Sequence, residues 1–313
     1  MPGARMTCRV PRNTIGRLVA LSVVAGIFLW AARGAQSAAS IPDFSGVWTH
    51  PYWPGFDPPL SGPGPVVNRS RLPNGVGNSD QLVGDYTNPI LKREAAEIVK
   101  KHGEISLANV TYPTPANQCW PQPVPYILWT IGIQMLQRAD KITILYSNPD
   151  HESRQVRMNQ PHPARVTPSW YGDSVGHYEG DTLVIDTVGI KNDRPLAMVD
   201  VYGTPYTKAL HVVERYRLVD DEAAKAAEGR TKKENISIPF NDSGLAVDPG
   251  YKGKALQLQF TVEDEGVFTM PWSAGMIYRR ASGAWPEFVC AENTHEYYAG
   301  KESDVPRAEK PDF

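Results

Sequence analysis

The chain has 313 residues, of which 21% are charged and 41% hydrophobic, with 28 Pro, 26 Gly and 8 Trp. Those proportions exclude a disordered chain, a collagen-like repeat and a polytopic membrane protein, and the high Pro content without helix-favouring repetition favours β structure. The formal net charge of −2 offers no basic footprint for nucleic acid or an anionic membrane.

Residues 1–39 read as a secretory signal peptide. Arg5, Arg9, Arg12 and Arg17 precede the apolar run from Leu18 to Trp30, and small residues around Ala35, Ser37 and Ala39 follow it. The run is shorter than the roughly 20 residues a spanning helix needs. Cleavage without a stable membrane anchor is therefore expected, and with it a periplasmic or secreted protein. No twin Arg and no Cys near the cleavage region point to Tat export or a lipoprotein. Losing five Arg and no acid leaves 27 basic residues against 34 acidic ones, a net charge of about −7. The expected partner is a small molecule.

Residues 40–313 read as a single β-barrel domain. Its first strand is expected at Phe44–Thr49. The stretch from about 50 to 87 is rich in Pro, Gly, Asn and Ser, yet carries Tyr52, Trp53 and Phe56. Such aromatics pack on something, so an ordered strap is expected there. A helix follows from Pro89 to about His102, with Asn88 as its cap and Gly103 as its stop.

Period-two alternation then dominates. Ile131–Gln137 and Ile142–Tyr146 form one predicted hairpin, and Val175–His177 with Thr182–Asp186 another. Further strands are predicted at Ser153–Met158, Leu210–Val219, Leu256–Val262 and Met276–Arg279, with a polar helix over Asp221–Lys233. Strands that are mostly neighbours in sequence suit a mainly β, antiparallel, lipocalin-like (calycin-type) barrel with one or two peripheral helices. Gly46-Val-Trp48 in the first strand sharpens that choice, because in such barrels the Trp closes the floor, often under an Arg from a late strand. Arg279 or Arg280 is the candidate here.

The segment Pro168-Ser-Trp170-Tyr-Gly-Asp173-Ser-Val-Gly-His177-Tyr-Glu-Gly-Asp-Thr-Leu-Val-Ile-Asp186 resembles the signature of a large group of exported bacterial β-proteins of unassigned function. Asp43–Trp48, Leu210–Arg215 and Phe288–Asn293 resemble flanking parts of it. The resemblance implies β architecture, export and a cysteine pair. It implies no reaction.

Two cysteines, Cys119 and Cys290, remain after the segment that holds Cys8. In an oxidising compartment they are expected to form one disulfide, closing a loop of about 170 residues for which chain entropy allows ~5 kcal/mol at most. Two separate buried thiols are the alternative.

Glu214 carries the strongest chemical signal. Alternation puts it on one face with Leu210, Val212, Tyr216 and Leu218, and leaves His211, Val213, Arg215 and Arg217 on the other. A carboxylate on an apolar face is a candidate acid or base, or half of a structural ion pair. Asp186 is a candidate partner across a cavity; capping a turn is its plainer role. His162, held stiff between Pro161 and Pro163, is the expected proton carrier. Candidate substrate contacts are Arg154 and Arg157, whose guanidiniums suit a carboxylate, together with Trp170, Asp173, His177 and His211. No His pair has metal-ligand spacing, so no metal is predicted. No phosphate loop, dinucleotide fingerprint or nucleophile elbow appears, so no cofactor is predicted either.

Two functions fit these readings. One is an enzyme without a cofactor, a lyase, isomerase or hydrolase that uses Glu214, His162 and Asp186 for proton transfer in a barrel pocket. The other is a periplasmic binding or carrier protein for a small apolar or aromatic ligand. Convergence of the titratable groups on one pocket is the expected mark of catalysis.

Overall fold

Strand alternation closes into a barrel. The computed structural model describes residue 3 and residues 41–52, 55–78, 80–108, 112–147, 152–193, 196–234, 245–283, 285 and 287. The chain falls into two compact units, Met1–Ser40 and Ile41–Phe313, and every element below belongs to the second. The strands are β1 (Gly46–Thr49), β2 (Gly132–Gln137), β3 (Lys141–Tyr146), β4 (Ser153–Met158), β5 (Asp173–Glu179), β6 (Thr182–Val188), β7 (His211–Val219), β8 (Ala246–Val247), β9 (Ala255–Glu263) and β10 (Trp272–Ser282). Pairing runs β1 to β7 in sequence order, then β9 and β10, and β10 returns to β1. Nine strands thus form a closed, mainly β, lipocalin-like barrel without free edges. β8 is a two-residue addition outside the ring, on β10.

Among the described residues, two α-helices lie beside this barrel: α1 (Arg93–Leu107) and α2 (Asp221–Glu234). α2 covers the outer wall through Ala224 and Ala227, which join Val219, Ala255 and Ile277 in a buried cluster. Arg279 pins it, bonding Glu228 at 2.5 Å and Asp221 at 2.7 Å.

One pair departs from the antiparallel expectation. β4 and β5 run parallel, with Val156 opposite Ser174 and Arg157 opposite Val175. Parallel neighbours cannot be joined by a hairpin and need a connection that returns along the sheet. Residues 159–172 are that connection, and they carry His162 and most of the signature loop. α1 also differs from expectation. Its start moves from Pro89 to Arg93 because Leu91 bridges Phe268, Lys92 N–H donates to the Val267 carbonyl and Thr269 N–H to that of Ile90, which hold the preceding residues extended. Gly103 does not end the helix either. A Cβ there would stand 2.9 Å from Val83, so glycine serves close approach.

The barrel floor is built as the Gly-x-Trp strand implies. Trp48 is buried, its Nε1–H donates to the Phe44 carbonyl at 2.9 Å, and the Arg280 guanidinium lies 5.0 Å from its ring centre. Gly46 has φ +123°, and a Cβ on it would meet Arg280 at 2.1 Å. The strap crosses the opposite side of β10. Asp57 and Gly275 exchange both backbone hydrogen bonds at 3.0 and 2.9 Å, and Phe56 enters the core edge-on to Phe260 at 4.9 Å.

Gly46→Ala is therefore expected to destabilise the fold by about 1–3 kcal/mol, through backbone strain and loss of the Arg280–Trp48 contact. Thermal or urea unfolding measures it; an unchanged midpoint would show that the floor does not depend on this contact.

Candidate functional site

β7 separates two polar systems, because successive side chains point to opposite faces of the sheet. Val212, Glu214 and Tyr216 face inward, and His211, Val213, Arg215 and Arg217 face outward.

Inside, Glu214 is fully buried and is held by Arg154, whose two terminal nitrogens donate to its two oxygens at 2.6 and 2.7 Å. The Tyr216 hydroxyl donates to it at 2.8 Å. Tyr146 and Tyr278 surround the pair, fully buried, with Arg154 5.9 Å from the Tyr146 ring centre. Burial pushes the Tyr146 and Tyr216 hydroxyls above their ordinary range. This arrangement corrects the expected site in two ways. Arg154 does not lie beside Arg157: three residues apart, the two point to opposite faces of β4, and Arg154, only 2% exposed, is taken up by Glu214. Glu214 does not share a pocket with His162 or Asp186, since the sheet itself stands between them. Trp48, Trp272, Phe260, Tyr146, Tyr216 and Tyr278 are all buried.

Outside, five of the expected residues come together. The parallel crossover lays His162 over β5 and β6, with Nδ1 2.7 Å from Asp173 Oδ2 and Nε2 3.2 Å from Asp186 Oδ1. Asp186 Oδ1 also meets His211 Nε2 at 2.9 Å, and His211 Nδ1 lies 3.6 Å from Glu263. Arg157 donates to both oxygens of Asp173 at 2.8 and 2.9 Å. The order Arg157–Asp173–His162–Asp186–His211–Glu263 thus runs across β4 to β9 on the outer wall. Glu263 is the member that sequence reading missed. Pairing brings it opposite His211, and no local motif announces that partner.

The electrostatics follow from these contacts. The hydrogen bond from His211 holds the Asp186 carboxyl below its usual range, and the same bond raises His211. Because Asp186 is an acceptor, Nε2 of His211 carries the proton, and Nδ1 is the nitrogen left to exchange one. His211 and Glu263 line a hollow of about 410 Å³ together with Ala209, Phe268 and Met270. Among the described residues, no group of three or more His, Cys, Asp or Glu is arranged to hold a metal.

The remaining candidates stand apart. His177 is paired with Glu179 at 3.1 Å, on the same outer face. Trp170 sits in the crossover loop, edge-on to Trp120 at 6.2 Å and beneath Lys191. Cys119 lies in the loop before the short helical turn Tyr126–Trp129, while Cys290 lies outside the described residues.

Comparison with protein-family models, curated proteins and solved structures finds no match. The class is therefore defined by fold and site: a closed nine-stranded, lipocalin-like barrel with a buried ion pair inside and a titratable chain on its outer wall.

Glu214→Gln is expected to lower stability by about 3–5 kcal/mol, because it strands the Arg154 charge in the core. Replacing both partners with Arg154→Met and Glu214→Leu should recover much of that loss in urea unfolding. A single variant as stable as the parent would show that the pair is not structural. In histidine titrations by NMR, His211 should protonate above pH 6.5. His50 and His102 should remain neutral until far lower pH, since burial depresses them to about 3 and about 4. A His211 midpoint below 6.5 would remove the Asp186 bond from solution.

Proposed function

We propose that this chain is an exported protein that binds and processes a small molecule on the outer wall of its barrel, with Asp186 and His211 as the acid–base pair. The observation that supports this reading most is the meeting of two imidazoles on one carboxylate oxygen, Asp186 Oδ1, beside an open hollow. Asp186 orients His211 and favours its protonated form, so Nδ1 can take a proton from a ligand at one atom and return it at another. That exchange serves lyase, isomerase or hydrolase chemistry. His162, with a carboxylate oxygen at each ring nitrogen, and Arg157, through Asp173, are positioning residues. A carrier role is the second reading, favoured by Met270, 46% exposed on the same hollow.

Untargeted metabolite profiling of exported material, with and without the purified protein, would supply the substrate. His211→Asn should then lower turnover by about 100-fold, and Asp186→Asn should move the pH–rate profile to lower pH. Unaltered turnover in both variants would overturn the assignment. A ligand bound without being consumed would put the carrier reading ahead.

We further infer that a Cys119–Cys290 bridge ties the segment before β2 to the chain beyond β10, in keeping with export. Non-reducing peptide mapping should recover the linked pair. Two thiols titrating in the unfolded, unreduced protein would exclude it.

A further inference from the structure

A second hollow, of about 470 Å³, lies on the same outer face, one residue row from His211. Its floor includes Gln257, Gln259 and Thr261 of β9. Arg215 and Arg217 reach it from β7, Arg230 from α2, and Pro58, Pro59 and Leu60 from the strap. Three guanidiniums gather here on a chain with more acidic than basic residues.

Their partners do not account for the grouping. Arg215 is matched by Glu179 at 2.7 Å. Arg217 donates to the neutral Gln257 side chain at 3.2 Å, and Arg230 to the Ala226 carbonyl at 3.3 Å. Among the described residues neither reaches a carboxylate. The acid in the lining, Asp57, is 8% exposed and accepts from the Thr231 hydroxyl at 2.5 Å. Guanidiniums keep their charge at any ordinary pH, and like charges two residues apart on one strand face repel. That repulsion opposes placing Arg215 and Arg217 together, whereas an oxyanion bound between the arginines gains charge-assisted, forked hydrogen bonds. Beside them Leu60 is 84% exposed, and with Pro58 and Pro59 it offers an apolar surface that the anion's own body would cover.

We propose that this groove binds a small organic oxyanion, a carboxylate or phosphate monoester carrying a short apolar body, with Arg217 and Arg230 holding the charged end. The site stands independently of the acid–base reading of His211, because it requires binding and no turnover.

Calorimetric titration of the purified protein at low salt tests it, with octanoate, octyl phosphate and octyltrimethylammonium as probes. At least one of the anions should bind and the cation should not, and the tighter anion identifies the headgroup. Arg217→Gln and Arg230→Gln should each weaken that binding by about tenfold and flatten its salt dependence. Both side chains are exposed, so the unfolding midpoint should not move, which separates lost binding from lost fold. Binding of neither anion, binding of the cation with equal strength, or undiminished anion binding in the double variant would overturn the proposal.

Discussion

The barrel is organised around the ion pair between Arg154 and Glu214. β4 and β7 are separated in the ring by β5 and β6, yet these two side chains meet inside it, each terminal guanidinium nitrogen donating to one carboxylate oxygen. Each charge alone would be prohibitive in that interior, so each requires the other. The pair holds the alternation of both strands: a slip of one residue would turn Arg154 and Glu214 outward and bring Arg157, His211, Arg215 and Arg217 in.

That outer wall owes its histidine to a break in the meander. If every neighbour were antiparallel, a tight turn would join β4 to β5, and His162 would have no reason to lie across the sheet. The parallel pairing forces the chain to return over the outer face, and the return sets His162 between Asp173 and Asp186. Backbone pairing brings His211 and Glu263 opposite each other. The titratable chain is thus a by-product of connectivity as much as of residue type.

Charge is distributed unevenly over this face. Carboxylates and imidazoles alternate at the His211 end, whereas guanidiniums collect at the end covered by the strap and α2. The two regions share the outward rows of β7 and β9, so a ligand in one would lie beside the other. Inside the ring, Trp48, Tyr146, Tyr216 and Tyr278 are buried with the ion pair, and the hollows at His211 and at Arg217 both open on the outer face.

Much of this architecture was legible in the sequence, because hydrophobic alternation and turn chemistry are local. The nine strands of the ring, both hairpins, the Gly46-Val-Trp48 floor with its late arginine and the inward face of Glu214 all follow from residues read a few positions at a time, whereas the two-residue β8 does not. Contacts between distant segments were not legible. The start of α1 was decided by Val267–Thr269, its passage through Gly103 by Val83, and the partner of Glu214 by a residue 60 positions earlier. Arg154 and Glu214 looked like candidate chemistry because each is polar in a strand, and only closure of the ring turned them toward each other. His162, Asp173, Asp186 and His211 were recognisable as titratable groups, but their meeting on one side of the sheet, apart from Glu214, required the parallel crossover. Sequence alone determined which face of each strand a side chain occupies, since alternation is a property of the backbone; which faces meet was decided by tertiary pairing, whose partners lie far apart along the chain.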